Sequence, residues 1–187
     1  MRYKSLSPSE KWIIKGIPIL FIISSLMHFL YELSGKNMFI GLISAVNESV
    51  WEHSKMVLWP VIGWWSIYYI INSKKNNINI NKWFTAGLIA LLTALITIPT
   101  IYYFYIGAFG VEILIVDISI LFLAILFGQI LGFHFYKYSK GINASISIKI
   151  FIVLILVFVV FTLYPPHLPL FKDGQSGKYG LDINFKE

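Results

Sequence analysis

Cysteine is absent from this 187-residue chain, which excludes disulfide bridges and thiolate metal sites and leaves the redox compartment unreadable. Charge is scarce as well. Asp, Glu, Lys and Arg together make up 13% of the residues, about half of the roughly 25% typical of soluble domains. Only nine of the charged residues are acidic against 15 that are basic, for a formal net charge of +6. Such an excess points to nucleic acid when it is gathered into a patch. Here the Lys and Arg residues are scattered at the ends of apolar runs, the pattern of a topology signal, so nucleic-acid binding is rejected. The N-terminal run lacks the small-residue cleavage pattern of a signal peptide and is expected to remain as a helix.

What the chain has in abundance is apolar surface. Hydrophobic residues make up 57% and aromatics 17%, and the mean hydropathy is +0.74. Several runs approach the roughly 20 residues that cross a hydrocarbon core as a helix. The expected fold class is all-α, a polytopic transmembrane helical bundle of five spans plus one short re-entrant or interfacial segment. Residues 1–164 form a single transmembrane domain, and 165–187 form a polar C-terminal tail. Ser7-Pro8-Ser9-Glu10 reads as a helix start with proline in the first turn. The spans fall at about residues 11–33, 47–72, 82–105, 111–136 and 147–163. Residues 38–46 are apolar but too short to cross. Asn47 is the expected N-cap of the second span. Pro60 and Pro99 predict kinks, and Pro165-Pro166 ends the fifth span. The six tryptophans are expected mainly at the membrane interfaces.

With five spans, Arg2, Lys4, Lys11, Lys15, Lys74, Lys75, Lys82, Lys137, Lys140 and Lys149 gather on one side. The opposite side holds Lys36 and Lys55, with Lys172, Lys178 and Lys186 in the tail. The positive-inside bias then places the N-terminus in the cytoplasm and the tail outside.

The polar residues concentrate in Asn47-Glu48-Ser49-Val50-Trp51-Glu52-His53-Ser54-Lys55, two carboxylates, an imidazole and an ammonium within nine residues. On a helix Glu48 and Glu52, four apart, share a face. Ionisable groups beside a bilayer are costly and point to function. His28 and Glu32 lie at the same end of the first span. Asp117 lies about six residues, roughly 9 Å, inside the fourth span from that surface, and His167 and Asp173 leave the fifth on the same side. Carboxylates and imidazoles from separate segments suit a divalent cation, Zn, Mn, Fe or Mg. The expected metal ligands are His28, Glu32, Glu52, His53 and Asp117, with His167 and Asp173 as tail contributors. An ion with an open position activates water for hydrolysis, and Glu48 or Glu52 is then the general base. For Glu52 a structural ion pair with Lys55 or Lys36 competes with that role. Near the span ends, plain solvation is the competing reading for Glu32, Glu48, Glu112 and Lys55.

His28-Phe29-Leu30-Tyr31-Glu32-Leu33, Val46 through Lys55, and Pro165-Pro166-His167-Leu168-Pro169-Leu170-Phe171-Lys172-Asp173 with Gly177-Lys178-Tyr179-Gly180 carry a resemblance. The chain resembles a bacterial family of small multi-pass membrane proteins catalogued as a domain of unknown function. That resemblance implies an integral protein of the bacterial cytoplasmic membrane and no particular activity. Other membrane enzymes fit poorly. Prenyl-protein proteases pair adjacent glutamates in E-E-x-x-x-R, whereas these glutamates are four apart with no Arg following, and H-E-x-x-H is absent.

Three functions follow as expectations. The first is a metal-dependent hydrolase or transferase acting on a lipid or peptide at the outer leaflet. The second is a small transporter or ion-binding carrier, with a thin polar path along Thr93, Thr97, Thr100 and Gln129. The third is a non-catalytic immunity, sensor or assembly protein. The bilayer is the expected partner in each case, and the sequence is silent on oligomeric state.

Overall fold

The computed structural model describes residues 3–181; Arg2 and Lys186 of the charge count lie outside the described residues. Among the described residues six helices form: α1 (Pro8–Leu33), α2 (Met38–Gly41), α3 (Val50–Asn72), α4 (Ile80–Phe109), α5 (Leu114–Tyr138) and α6 (Ala144–Leu163). Single 3-10 turns lie at Tyr3–Ser5 and Pro169–Phe171, and no strand forms among the described residues. Four helices, α1, α4, α5 and α6, are long and apolar enough to cross a membrane. The 23-residue α3 is not among them. Its first turns carry Glu52, His53 and Lys55, and the stretch from Ser54 to Leu58 is buried inside the bundle.

The helix starts follow local chemistry. Ser7 and Glu10 form a reciprocal capping box at α1, with Ser7 Oγ accepting from Glu10 N at 3.2 Å and Glu10 Oε2 from Ser7 N at 2.7 Å. Pro8 stands in the first turn. At the second expected span the cap is displaced from Asn47 to Ser49, whose hydroxyl accepts from Glu52 N at 3.3 Å. Asn47 is drawn into other contacts, described below. At the far end of α4, Gly110 takes the left-handed conformation (φ +70°) that stops the helix. Pro60 and Pro99 lie inside unbroken helices, as does Pro18.

α1, α3, α4 and α5 form a closed ring in which each packs on the next, and α6 stands outside it against α3 and α4. The closest seam joins α4 to α5. A Cβ on Gly128 would stand 2.5 Å from the Ala90 carbonyl oxygen, and one on Gly132 would meet Ala90 Cβ at 2.9 Å. Small residues one turn apart let the two backbones approach in this way.

The tryptophans mostly do something other than anchor. Trp65 and Trp83 are fully buried, and Trp12 stacks on Trp64 at 3.9 Å and on Tyr68 at 4.7 Å. Trp83 Nε1 donates to the Trp65 carbonyl at 2.7 Å. These rings fill the end of the ring where α1 begins and α3 ends. They are core because four helices converge there and only large rings fill the gap. The opposite end, where α1 and α4 finish, is where the ionisable residues meet.

Candidate metal centre and its cavity

Glu48 precedes the Ser49 cap, so it lies in the loop before α3 and not on the helix. The expected shared face with Glu52 therefore does not exist. The loop is fastened from several directions. Asn47 Oδ1 accepts from Ser49 N at 2.9 Å, and Asn47 Nδ2 donates to the Gly180 carbonyl at 3.1 Å. Glu48 N donates to Asp173 Oδ2 at 3.0 Å. Held this way, the Glu48 carboxylate faces two imidazoles, His53 Nε2 at 3.1 Å from α3 and His28 Nε2 at 3.6 Å from α1. One ligand atom from each of the three lies within 4.8 Å of the others, and all three residues are half-buried. The hydrogen bond from His53 holds the Glu48 carboxyl below its ordinary range. Burial opposes this, and the imidazole charges reinforce it. At 3.6 Å the His28 contact is too long for a hydrogen bond. Nδ1 of the same ring is buried without a partner.

The trio opens into a cavity of about 450 Å³ between the four ring helices. Asp117 of α5 lines the same cavity, where its Oδ1 accepts from Tyr105 Oη at 2.7 Å. Tyr102 of α4 is also in the wall and donates to Glu112. The two tyrosines are the residues that sequence reasoning missed. Their spacing of three at the end of an apolar span was the available signal.

The other expected ligands lie elsewhere. Glu52 is buried against Lys55 at 2.6 Å, and it accepts from Thr162 Oγ1 at 2.9 Å and from Val46 N at 3.1 Å. Lys55 Nζ also donates to the Gly41 carbonyl at 2.6 Å and to Thr162 Oγ1 at 2.9 Å. This network ties the apolar 38–46 segment and the end of α6 to α3. It is the ion-pair alternative for Glu52, whose carboxylate is engaged by Lys55, Thr162 and Val46 and does not stand in the trio. Glu32 is exposed and pairs with Lys36 at 3.5 Å. The His167 ring lies 4.7 Å from that of Tyr179. Asp173 does not join the trio; it accepts from Gln175 N at 2.8 Å and Ser176 N at 2.6 Å as well as from Glu48 N. Burial pushes the Asp173 carboxyl up. The donors from Ser176, Glu48 and Gln175 outweigh it and hold the group below its ordinary range.

A family model described as a family of unknown function (DUF6512) matches residues 1–181. The chain belongs to that family. Comparison with curated proteins and with solved structures gave no match. The DUF6512 match runs through Asp173 and Gly180, so it takes in the tail that anchors Glu48 as well as the helices that carry His28, His53 and Asp117.

Proposed function

We propose that this DUF6512 chain is an integral membrane protein that holds a divalent cation between His28, Glu48 and His53 and uses it to hydrolyse a substrate at one membrane face. One observation carries the reading. Two imidazoles and a carboxylate, delivered by α1, α3 and the loop between them, meet at the edge of a cavity large enough for a ligand. Two His and one carboxylate make up a common catalytic zinc donor set, which leaves a fourth position for water or substrate. Within the trio His28 Nε2 stands 3.6 Å from Glu48, beyond hydrogen-bond distance, and an ion between them would engage that nitrogen. A cation there would lower the pKa of a bound water and polarise a scissile carbonyl or phosphoryl oxygen. Asp117, on the opposite wall, is the group available to take the proton from that water and return it to the departing oxygen. Glu48 is then a ligand, and Asp173 is a positioning residue that fixes the Glu48 backbone.

The orientation proposed is N-terminus in the cytoplasm, tail and site outside, in a bacterial cytoplasmic membrane. Lys4, Lys11, Lys15, Lys74, Lys75, Lys82, Lys137, Lys140 and Lys149 support it, since all belong to the end away from the site. Burial of Lys55 against Glu52 removes one of the few opposing charges. A carrier would need a polar path through both ends, and the stacked rings of Trp12, Trp64, Tyr68 and Trp83 count against one. The test is elemental analysis of protein purified without chelator. About one equivalent of Zn, Mn or Fe in the wild type, lost in His28→Ala and His53→Ala, is expected. Metal-free protein that takes up none of these ions or Mg on titration would remove the reading.

A further inference from the structure

The cavity has two unlike halves. His28, Glu48, His53, Tyr102 and Asp117 gather at the end nearer the loops. Met56, Ile98 and Leu121 lie about one helical turn deeper, roughly 4.5–6 Å by helical rise, and all three are buried. The wall between α1 and α5 differs from the rest because its lining residues are open to the outside. Phe29 is 57% exposed, Leu114 75% and Ile118 41%. Next to this mouth the outward surface of the same two helices stays apolar, with Ile22 and Leu26 on α1 and Ile115 on α5. Below it Phe21 and Phe122 meet edge to face at 5.5 Å and close the gap between α1 and α5. Both helices are long and apolar enough to cross a membrane, and in a bilayer the gap between them would face sideways toward hydrocarbon, while the side chains of His28, Glu48 and His53 stay 32%, 39% and 26% exposed at the polar end.

We infer that the ligand is a single-chain lipid. Its ester- or phosphoester-bearing head lies at His28, Glu48, His53 and Asp117, and its apolar chain passes between α1 and α5 into the bilayer. The head rests on the cation site proposed above, while the chain rests on the cavity wall alone. The chemistry of the deeper half separates this ligand from a peptide. A peptide there would leave backbone N–H and C=O groups facing Met56, Ile98 and Leu121 with no partner. An alkyl or prenyl chain loses nothing there, because moving it from lipid to an apolar wall is close to neutral. The side mouth then lets the head reach the polar groups without the chain crossing water.

The probe is a lysophosphatidylcholine carrying a diazirine at mid-chain, irradiated with the full-length protein in lipid nanodiscs and mapped by peptide mass spectrometry. Exposed Ile152, Val153 and Leu156 of α6 report labelling by bulk lipid. Label on residues 25–29 and 114–121 at least fivefold above that of α6 is expected. Ile118→Trp, which fills the mouth from an exposed position, should cut the mouth signal at least fivefold and leave α6 unchanged. Phe29→Trp repeats the test from the other helix. Mouth labelling no higher than that of α6, or within twofold of wild type in both Trp variants, overturns the inference. Metal content read on the same samples separates the two proposals. Metal with uniform labelling would leave the cation site and sink the lipid. Selective labelling without metal would leave the chain cavity and sink the cation.

Discussion

The two ends of the four-helix ring are built from the same apolar helices and yet solve opposite problems. Where α1 begins, Trp12, Trp64, Trp65, Tyr68 and Trp83 interlock and Trp83 Nε1 is satisfied by a backbone carbonyl. Where α1 finishes, the helices enclose a cavity, and half-buried imidazoles face a carboxylate held by a loop. The rings at the first end pack on one another, and the hollow of about 380 Å³ beside Trp12 and Tyr68 is lined by Pro8, Lys11, Lys15, Asn72, Lys75 and Asn76, with no carboxylate or imidazole. At the second, the backbone is fixed by Asn47, Asp173 and the Glu52–Lys55 pair, while a carboxylate and two imidazoles face the cavity and one of the rings, His28, keeps a nitrogen without a partner. Stability and binding are thus assigned to opposite ends, and substitutions at the two should have separable effects.

The sharpest test of that separation is a crossed pair. His53→Ala should weaken metal binding by more than the roughly 10–100-fold that loss of an outer-shell partner costs, with little change in melting temperature. Trp83→Ala should cost about 3–5 kcal/mol of stability from the cavity it leaves, and metal stoichiometry should stay intact in the folded fraction. Elemental analysis and detergent melting curves on the same preparations read both. If Trp83→Ala strips the metal from folded protein, the two ends are coupled and the division fails.

Breaking the buried pair comes next. Lys55→Met leaves the Glu52 carboxylate uncompensated at 1% exposure, which should cost about 3–5 kcal/mol. Adding Glu52→Gln should recover much of that loss, because Gln still accepts from Val46 N. Both variants should keep their metal. Loss of metal in the double variant, with the fold restored, would return Glu52 to the ligand set.

A smaller effect is expected along the α4–α5 seam, which runs between the two ends. Gly128→Ala places a Cβ 2.5 Å from the Ala90 carbonyl, against backbone that cannot swing aside. The helices must part there, at about 1–3 kcal/mol. Measured melting unchanged within error would show the seam to be looser than its geometry.

The helices were readable in the sequence because length, hydropathy and terminal chemistry agreed, as at Ser7-Pro8-Ser9-Glu10. The gathering of His28, His53 and Asp117 at one cavity was also accessible, since alternate spans deliver their ends to one side. Other features were hidden for identifiable reasons. The i, i+4 rule applies only inside a helix, and moving the cap from Asn47 to Ser49 put Glu48 outside it while Glu52 stayed inside. Glu32 is one turn from His28, but its helix is ending and its side chain turns to Lys36 in solvent. The partner that fixes Glu52 and Lys55, Thr162, is more than a hundred residues away and has no local signature. Tryptophans near span ends look like interfacial anchors until the packing of four helices shows that Trp65 and Trp83 have no outside to face.

The smallest expected effect tests how the tail serves the open end. Asp173 has its folded carboxyl pKa held down, below the unfolded value of about 3.9. A depressed pKa contributes stability that is present above the unfolded pKa and lost as the pH falls through the folded value. Asp173→Asn keeps the shape and one acceptor oxygen but no charge, so at neutral pH it should cost about 1 kcal/mol. It should also flatten the acid limb of the melting-temperature profile, since the group that titrates there is gone. Because the same carboxylate accepts from Glu48 N at 3.0 Å, metal affinity should fall by roughly tenfold at most, well short of the loss in His53→Ala. An Asp173→Asn protein with metal binding as weak as His53→Ala would mean that the tail supplies a ligand itself, and the division between a positioning loop and a binding trio would have to be redrawn.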